Sequence, residues 1–469
     1  MQKSYVRLLG VEIKNLKNVQ YGAISFFNSH RNFKASILGL YGQNGSGKTV
    51  LIDAIHLLKF ALSGQPIPPN FADFISVGTE MATIQYNLSV TTKETKKYIV
   101  TYVINIRKKK MSEFEKSNVI NNVDEYFKTI VFDEMLYYSD ECANGQERKQ
   151  MILDMKNSNA FGSPAALTAL VKNNETLLTD LIVAKKLAAA TSRSYCFSKE
   201  LLRILNKYYT GSVHLSIINS LVSYGNVELF VIMTTSAGLI SMDALPLAFK
   251  YEAKNTATVG NIAISLNDTT KLPQNVYNVV LKVIDVLNIV LKQIVPGLTI
   301  KVKKIGTKLL KNGRRGVNIQ LISQKNSKEI PLKYESEGIK KLISILHLFI
   351  VIYNNPSITV AIDELDSGIF EYLLGELLRI VSERGRGQLI FTSHNLRPLE
   401  TLDHGFVALT TTDPAKRYIR FNNIQDNENL RDFYYRDIML GEQDEIVYEP
   451  TDNEEIAFAF RKAGELSGT

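Results

Sequence analysis

The stretch 35–58 constrains the fold of this chain more than any other part of its sequence. Residues 35–41 form a short apolar run of strand-forming residues, a glycine-rich turn follows, and apolar residues then recur at helical spacing. The turn matches the phosphate-binding pattern G-x-x-x-x-G-K-[ST] at Gly42, Gly47, Lys48 and Thr49. A strand, a glycine loop and a helix in this order predict a nucleotide-binding α/β fold.

The loop has a direct physical use. Its glycines let several backbone N–H groups point inward, and the start of the following helix adds partial positive charge where a phosphate would lie. We expect Lys48 to reach the outer phosphates and Thr49 to bind Mg²⁺ through its hydroxyl. The expected phosphate ligands are Gly42, Gln43, Asn44, Gly45, Ser46, Gly47, Lys48 and Thr49. The alternative is a chance match in an ordinary turn, which the flanking strand and helix disfavour.

The overall composition sets the class of protein. A chain of 469 residues predicts two or three lobes. Since about 18 charge-free apolar residues are needed to span a membrane and none are found, we expect no membrane span. The N-terminus lacks a signal-type apolar segment, so a cytoplasmic location is expected. Cys142 and Cys196 lie far apart without metal-type spacing, and we expect both to be inert thiols.

The net charge of +8 is unevenly distributed. Residues 301–341 are strongly basic, 107–110 form a second basic run, and the chain after Asp426 is acidic. Separate basic faces suit a polyanionic partner such as DNA. They suit a merely solvated surface equally well.

Patterning along the chain predicts the remaining elements. A hairpin precedes the phosphate loop, and 83–90 with 98–107 alternate as a half-solvated antiparallel hairpin. Helical spacing dominates 163–222, and an amphipathic helix covers 276–294. Strand and helix patterns then alternate from Lys333 to about Leu409.

Three later stretches could complete a nucleotide site. An apolar strand ends in Asp363 and Glu364, which could hold Mg²⁺ and polarise an attacking water. His394 follows the next predicted strand and could contact a terminal phosphate. Ser336 is a good N-cap for a long helix whose free N–H groups would attract an anion. Each has an ordinary alternative: an acidic strand end, a structural histidine and a simple cap.

Taken in order, these stretches resemble the ABC-type ATPase head of the SMC-like and OLD-like branch. The resemblance covers 1–60 and 330–410. It implies a Walker A loop at 42–49, a Walker B pair at Asp363 and Glu364, a D-loop at 365–368 that includes Asp366, and a switch histidine at His394. Ser336 and Gly338 lie where the signature helix would begin, although the sequence there departs from the LSGGQ motif. The Q-loop glutamine stays unassigned among Gln85, Gln146 and Gln150.

The resemblance implies a fold, a reaction and an oligomer. The fold would be an α/β P-loop NTPase of the ABC-ATPase head type, with an antiparallel β lobe and a helical or mixed insertion. The implied division is 1–160 and 326–412 for the two halves of the head, 161–325 for the insertion and 413–469 for an acidic extension. Two copies, as a homodimer or within a larger homo-oligomer, would sandwich two ATP molecules, and Glu364 would trigger hydrolysis.

Three roles follow for such an ATPase. The chain lacks long heptad arms, and the sixty residues after Leu409 are too few for an OLD-type nuclease domain. This layout resembles the stand-alone ATPases of bacterial abortive-infection systems, in which a separate nuclease or toxin is the effector. The alternative is an SMC-like DNA-binding ATPase of repair or recombination. A transporter subunit is the weakest of the three.

Overall fold

The computed structural model describes residues 4–27, 35–111, 127–140, 149–155, 175–253, 256–309, 313, 315–421, 429–440 and 445–467. Its first layer is a six-stranded antiparallel sheet in the order β2-β1-β4-β5-β6-β7. The strands are β1 (Tyr5–Leu16), β2 (Val19–Ser25), β4 (Met81–Thr91), β5 (Lys97–Lys110), β6 (Phe127–Asp140) and β7 (Gln150–Asp154).

The predicted hairpin of 83–90 and 98–107 is present as β4 and β5. Residues 82–88 of β4 alternate between buried and half-buried, as predicted, but β5 is not half-solvated. Seven consecutive residues of β5, at positions 100–106, are buried, so both faces of this strand are covered. The polar side chains on its second face bond across the strands, Thr101 to Asn87 at 2.9 Å and Asn105 from Thr83 at 2.6 Å. Paired polar groups can be buried at little cost, which alternation alone does not reveal.

The second layer is a mixed sheet that holds the phosphate loop. Its order is β18-β17-β3-β16-β15-β8, and five of these strands run parallel. The strands are β3 (Ser36–Tyr41), β8 (Leu229–Ile232), β15 (Thr359–Ile362), β16 (Gln388–Thr392), β17 (Val407–Thr410) and β18 (Tyr418–Ile419). A parallel sheet is covered on both faces, which explains why β15, β16 and β17 are apolar runs without alternation.

Gln388 joins the two layers. Its buried amide donates to the carbonyl of Leu8 at 2.6 Å, and its oxygen accepts from the Leu8 N–H at 3.1 Å and the Thr359 hydroxyl at 2.9 Å. Helix α1 (Lys48–Leu62) lies between the layers, with apolar residues from both sheets packed in one core. The phosphate loop is therefore set at a rigid junction of two sheets.

The stretch 161–325 divides between layers. Helices α2 (Glu175–Ala190), α3 (Lys199–Tyr208) and α4 (Val213–Ser223) share the core of the antiparallel sheet and α1. Strand β8, also within this stretch, is the edge strand of the parallel sheet. The part at 163–174 of the predicted helical region lies outside the described residues, and the domain boundaries stay a prediction.

A third core lies beside the parallel sheet. The elements in and around this core are α5 (Thr235–Ser241), β9 (Ala244–Ala253), β10 (Thr256–Ser265), β11 (Thr270–Pro273), α6 (Gln274–Ile294), β12 (Leu298–Leu309), β13 (Arg315–Lys325), β14 (Lys328–Pro331) and α7 (Glu337–Asn354). Helix α5 and strand β14 contact these elements without contributing a core residue. Strands β11 to β14 form one small sheet around β13, and β9 pairs with β10. Helix α7 contributes to this core and to the parallel sheet, so it connects the two.

Helix α6 is the one helix among the described residues that could cross a membrane by length and composition, with a mean hydropathy of 1.3. Three charged residues interrupt it, Lys282, Asp285 and Lys292. Its buried stripe packs in the third core, in the manner of a core helix. This is weak evidence for a membrane span.

The chain closes with α8 (Glu371–Arg384), α9 (Arg397–Thr401), α10 (Leu430–Leu440) and α11 (Asn453–Ser467). Helix α8 packs in the core on the outer face of the parallel sheet, and α10 contributes Leu430 and Tyr434 to the same core. Nearly every described residue of α11 is exposed. Cys196 is buried, while Cys142 lies outside the described residues.

Candidate nucleotide-binding site

The phosphate loop follows β3 directly and has the backbone that the pattern requires. Gly42, Gly45 and Gly47 have φ of 146°, 77° and 92°, values that favour glycine. A Cβ on Gly42 would lie 1.9 Å from Thr410 Oγ1, so no larger residue fits there. Lys48 Nζ donates to the carbonyl oxygens of Gly42 and Gln43 at 2.8 and 2.9 Å. The lysine therefore lies across the loop where a phosphate chain would bind.

A C-terminal hairpin supports the loop from behind. The hydroxyl groups of Thr410, in β17, and Ser46 are hydrogen-bonded to each other, and the Tyr418 hydroxyl, in β18, donates to the Gly47 carbonyl at 3.0 Å. Arg417 lies beside Gly47 and donates to the carbonyls of Thr411 at 2.6 Å and Asn18 at 2.7 Å. Sequence analysis missed these residues, because no motif relates them to a loop some 370 positions earlier.

A corner of oxygen atoms lies at the start of α1. Thr49 Oγ1 is 3.3 Å from Asp363 Oδ1, and Thr392 Oγ1 donates to the same oxygen at 2.7 Å. Asp363 is 1% exposed, and its Oδ2 is buried without a hydrogen-bond partner. A buried, unpaired carboxylate oxygen beside a threonine hydroxyl fits Mg²⁺, which prefers oxygen ligands.

No group of three His, Cys, Asp or Glu side chains suited to a metal occurs within the described residues. Thr49 and Asp363 would therefore hold Mg²⁺ together with phosphate oxygens and water, the usual arrangement for this ion at nucleotide sites.

Glu364 follows Asp363 in a left-handed conformation, with φ of 47°. Thr392 holds this turn, since its hydroxyl accepts from the Glu364 N–H at 2.8 Å and its carbonyl accepts from the Leu365 N–H at 3.0 Å. The turn places Glu364 on the wall of the cavity beside the phosphate loop. Thr392 is thus a further site residue that sequence analysis missed.

His394 is exposed at the cavity mouth, and its main chain is held by the D-loop. Asp366 Oδ2 accepts from the N–H groups of His394 and Asn395 at 3.1 and 3.0 Å. The structure therefore joins the predicted D-loop and switch loop into one unit. A movement of either loop would displace the other.

The cavity between these elements has a volume of about 410 Å³. It is lined by Lys17, Asn18, Asn44, Gly45, Gly47, Lys48, Thr49, Val50, Glu364, Thr392 and His394. Lys17 and Asn18, at the turn between β1 and β2, also escaped sequence analysis. Lys17 pairs with Asp53 of α1, and Asn18 donates to the Gly45 carbonyl.

The predicted signature residues lie outside this cavity. Ser336 caps α7, and its Oγ accepts from the Ile339 N–H at 3.3 Å. Ser336 is exposed, and Gly338 packs so closely on the D-loop that an added Cβ would lie 2.3 Å from the Gly368 carbonyl oxygen. The start of α7 and the D-loop therefore form one continuous surface.

Two buried lysines give the site positive charge. Burial lowers the pKa of Lys48, and the negative charges of Asp363, Asp366 and Glu364 oppose this effect. Burial likewise lowers the pKa of Lys341 in α7, against the charges of the same three carboxylates. Lys341 was not anticipated as a site residue from the sequence, and its charge interacts with Asp363, Glu364 and Asp366 from the start of α7.

The Q-loop glutamine stays unassigned. Gln85 lies within β4, and Gln150 accepts a hydrogen bond from Tyr138 at 2.7 Å. Gln146 is outside the described residues.

Comparison with known proteins gives a family match in the N-terminal part of the chain. A family model described as AAA domain matches residues 11–207. The fold is that of a P-loop ATPase head of the ABC type. This confirms the predicted fold class, and the assignment rests on the motif, the family match and the strand order.

A curated relative, the DNA replication and repair protein RecF of Deinococcus radiodurans, is 34% identical over 83 residues. The match covers 18% of this chain and spans about a fifth of that relative's length, 20%. Among solved structures, the Smc head bound to the C-winged helix domain of ScpA is similar over 88% of this chain and 98% of its own, with 12% identity and a TM-score of 0.40. The ATP-bound recombination mediator protein RecF covers 89% and 100%, with 12% identity and a TM-score of 0.37.

Proposed function

We propose that this protein binds Mg²⁺-ATP and hydrolyses it, with two copies closing around the nucleotide. One observation carries the proposal: residues from 17 to 394 line a single cavity, and next to Thr49 on its wall the buried Asp363 Oδ2 has no hydrogen-bond partner. A charged, buried and unpaired oxygen costs free energy unless a cation binds it. Mg²⁺ held by Thr49 and Asp363 would neutralise the charge of the phosphates.

The side chains have distinct roles in this proposal. Lys48 leaves the two loop carbonyls and donates to the outer phosphates, which replaces two neutral acceptors by charged ones. Glu364 accepts a proton from the attacking water, and the left-handed turn at Glu364 aims its carboxylate into the cavity. His394, at the cavity mouth, contacts the terminal phosphate or that water.

Pairing of two copies is supported by where the signature residues lie. Ser336 is exposed at the N-terminus of an 18-residue helix, where free N–H groups attract anions. It lies on one surface with the D-loop, which Asp366 connects to the cavity mouth. A facing copy related by two-fold symmetry would bring its Ser336 and Gly338 to the ATP of this copy. The same symmetry would bring Ser336 and Gly338 of this copy to the ATP of the facing copy.

Lys48→Ala tests nucleotide binding. The variant lacks the ammonium group that donates to the phosphates, so its affinity for a fluorescent ATP analogue should fall at least about a hundredfold. Lys186→Ala, at an exposed position on α2, is the matched control and should bind like the wild type. Unchanged affinity in Lys48→Ala would refute the assignment of the phosphate loop.

Glu364→Gln tests hydrolysis and pairing together. The amide cannot accept the proton of the attacking water, so turnover should fall at least about a hundredfold. ATP binding should persist, and dimers should accumulate in size-exclusion chromatography with light scattering when ATP is present. If the variant hydrolyses ATP at the wild-type rate, Glu364 is not the base. If it binds ATP without hydrolysing it and stays monomeric, the two copies do not pair around ATP.

The use of this cycle in anti-phage defence, with a separate nuclease or toxin as effector, is a finer proposal. Helix α11 supports a partner in trans, because it exposes Phe458, Phe460 and Leu466, which are 65%, 74% and 84% accessible. Expressed with its genomic neighbours, the wild-type chain should lower phage plating, and Lys48→Ala should not. Equal plating for both would count against this role.

The alternative role, an ATPase acting on DNA in repair or recombination, is favoured by one face of the β11–β14 sheet. Lys271, Lys301 and Lys303 are exposed and share a face by register, opposite Asn318, Ile322 and Gln320 respectively. Glu329, paired with Lys301 at 2.7 Å, also lies on this face. Lysines spaced two residues apart on a rigid strand suit a row of phosphates.

Salt dependence tests this alternative. Duplex-DNA affinity should fall less steeply with salt when the three lysines are changed to glutamine, because three phosphate contacts are lost. Between 50 and 200 mM salt, the wild type should lose about fortyfold more affinity than this variant. Lys93, Lys96 and Lys186, exposed elsewhere, provide a triple-glutamine control. Identical slopes for wild type and the 271/301/303 variant would reject this surface. Of the basic residues noted in the sequence, Lys311 and Arg314 lie outside the described residues.

A further inference from the structure

A segment near the C-terminus, residues 445–449, lies against the phosphate loop, and we call it the C-terminal strap. The amide of Gln43 pairs with the main chain of Glu449: its Oε1 accepts from the Glu449 N–H at 3.0 Å, and its Nε2 donates to the Glu449 carbonyl at 3.3 Å. These two bonds use both ends of the side chain, in the way that a strand pairs with its neighbour. They connect residues 406 positions apart.

Gln43 is also the residue on which the phosphate loop is closed. Its carbonyl accepts from Lys48 Nζ at 2.9 Å, from the Ser46 N–H at 3.2 Å and from Ser46 Oγ at 2.6 Å. The main chain of Gln43 therefore organises the loop, while its side chain is held by the strap. Any shift of the strap is transmitted to the peptide on which Lys48 lies.

The strap has its own anchors. Val447 is buried in the core on the outer face of the parallel sheet. The Ile446 carbonyl accepts from the N–H and the hydroxyl of Thr412 at 2.8 and 3.2 Å, and Glu445 pairs with Lys416. Thr412 and Lys416 belong to the connection between β17 and β18, the hairpin that supports the loop from behind.

The strap also faces the switch histidine. A second cavity, of about 380 Å³, is enclosed by the phosphate loop, the switch loop, α10 and the strap. Its wall includes Gln43, His394, Tyr434 of α10 and Tyr448 of the strap. The strap thus borders the two loops that the proposed function places beside ATP. It ends four residues before α11 begins at Asn453.

We propose that the C-terminal strap preorganises the phosphate loop for ATP, with Gln43 as the positioning residue. This inference rests on the proposed function and adds regulation to the same site. A glycine-rich loop has many alternative conformations, so two side-chain bonds that select one of them favour nucleotide binding. Coupling is reciprocal: ATP then stabilises the strap and, through it, the start of the exposed helix α11.

A double-mutant cycle on the full chain tests this coupling. Gln43→Ala removes both bonds, and Glu449→Pro removes the N–H donor without replacing any residue of the loop. Each should weaken binding of the fluorescent ATP analogue about five- to a hundredfold, and the double variant should be little worse than either. Gln274→Ala, which removes an exposed amide on α6 bonded to Asn278, is the matched control and should bind like the wild type.

Amide hydrogen exchange distinguishes coupling from a purely structural role, because a strap that only supports the fold would exchange equally with and without ATP. In the wild type, ATP should slow exchange of the amides at 445–449, and Gln43→Ala should abolish that effect. If Glu449→Pro binds as the wild type does, Gln43 acts on ATP directly and the strap is not coupled. Protection that is insensitive to ATP in a wild type that binds it would overturn the inference alone. A wild type that binds no ATP would instead overturn the proposed function.

Discussion

Thr392→Val is the change that most directly tests how the carboxylates of the site are held. The Thr392 hydroxyl donates to Asp363 Oδ1 at 2.7 Å and accepts from the Glu364 N–H at 2.8 Å, and the residue is 1% exposed. Valine has nearly the same shape but no hydroxyl. The substitution therefore removes both bonds without opening a cavity.

The size of the effect follows from these two contacts. A hydrogen bond to a charged group contributes about 1.5–3 kcal/mol, and a buried N–H left without a partner costs about 1–3 kcal/mol. Glu364 would relieve part of this cost by leaving its left-handed conformation, which itself costs about 1–3 kcal/mol. If the misaligned carboxylates stabilise the transition state by about 2 kcal/mol less, kcat falls about thirtyfold.

The assay compares kcat for ATP hydrolysis with the dissociation constant for ATP in Thr392→Val and Thr392→Ser. Valine should lower kcat about thirtyfold, while Lys48 keeps ATP affinity within about threefold. Serine restores the hydroxyl and should recover most of the rate. Wild-type kcat in the valine variant would refute the reasoning, as would a serine variant as slow as valine.

Two further predictions concern stability. Gln388→Leu leaves the buried main-chain groups of Leu8 and the Thr359 hydroxyl without partners, and should cost about 2–4 kcal/mol in urea denaturation, against no change for the exposed Gln65→Leu. A loss no larger than in the control would show that Gln388 does not join the sheets. Burial lowers the pKa of His56 from 6.5 to about 4, so the folded state keeps the ring neutral while the unfolded chain protonates it. Stability should therefore be full above pH 6.5 and fall by up to about 3 kcal/mol as pH drops to about 4. His56→Phe should flatten that part of the profile, and an unchanged slope in the variant would reject the assignment.

Much of the site could be predicted because its chemistry is local in sequence. The loop at 42–49 needs glycines where φ is positive and a lysine at the helix start, and these requirements appear as a pattern in eight consecutive residues. The acidic pair at 363–364 and His394 likewise follow apolar strands, so their positions at strand ends could be inferred. Parallel strands end at one edge of a sheet, which is why these separate motifs could be expected to meet.

The sequence by itself thus determined the fold class, the phosphate loop and the order of its companion motifs, since each depends on residue types at short spacing. Only the tertiary structure decided which residues support them. Tyr418 and the C-terminal strap contact the phosphate loop from positions hundreds of residues away, and Thr392 and Lys341 contact the acidic pair from more than twenty positions away. A hydroxyl, an amide or a charge that acts across such a separation has no local pattern. The burial of β5 on both faces was hidden for the same reason: a polar side chain is compatible with solvent and with a buried partner, and only the packed neighbours select between them.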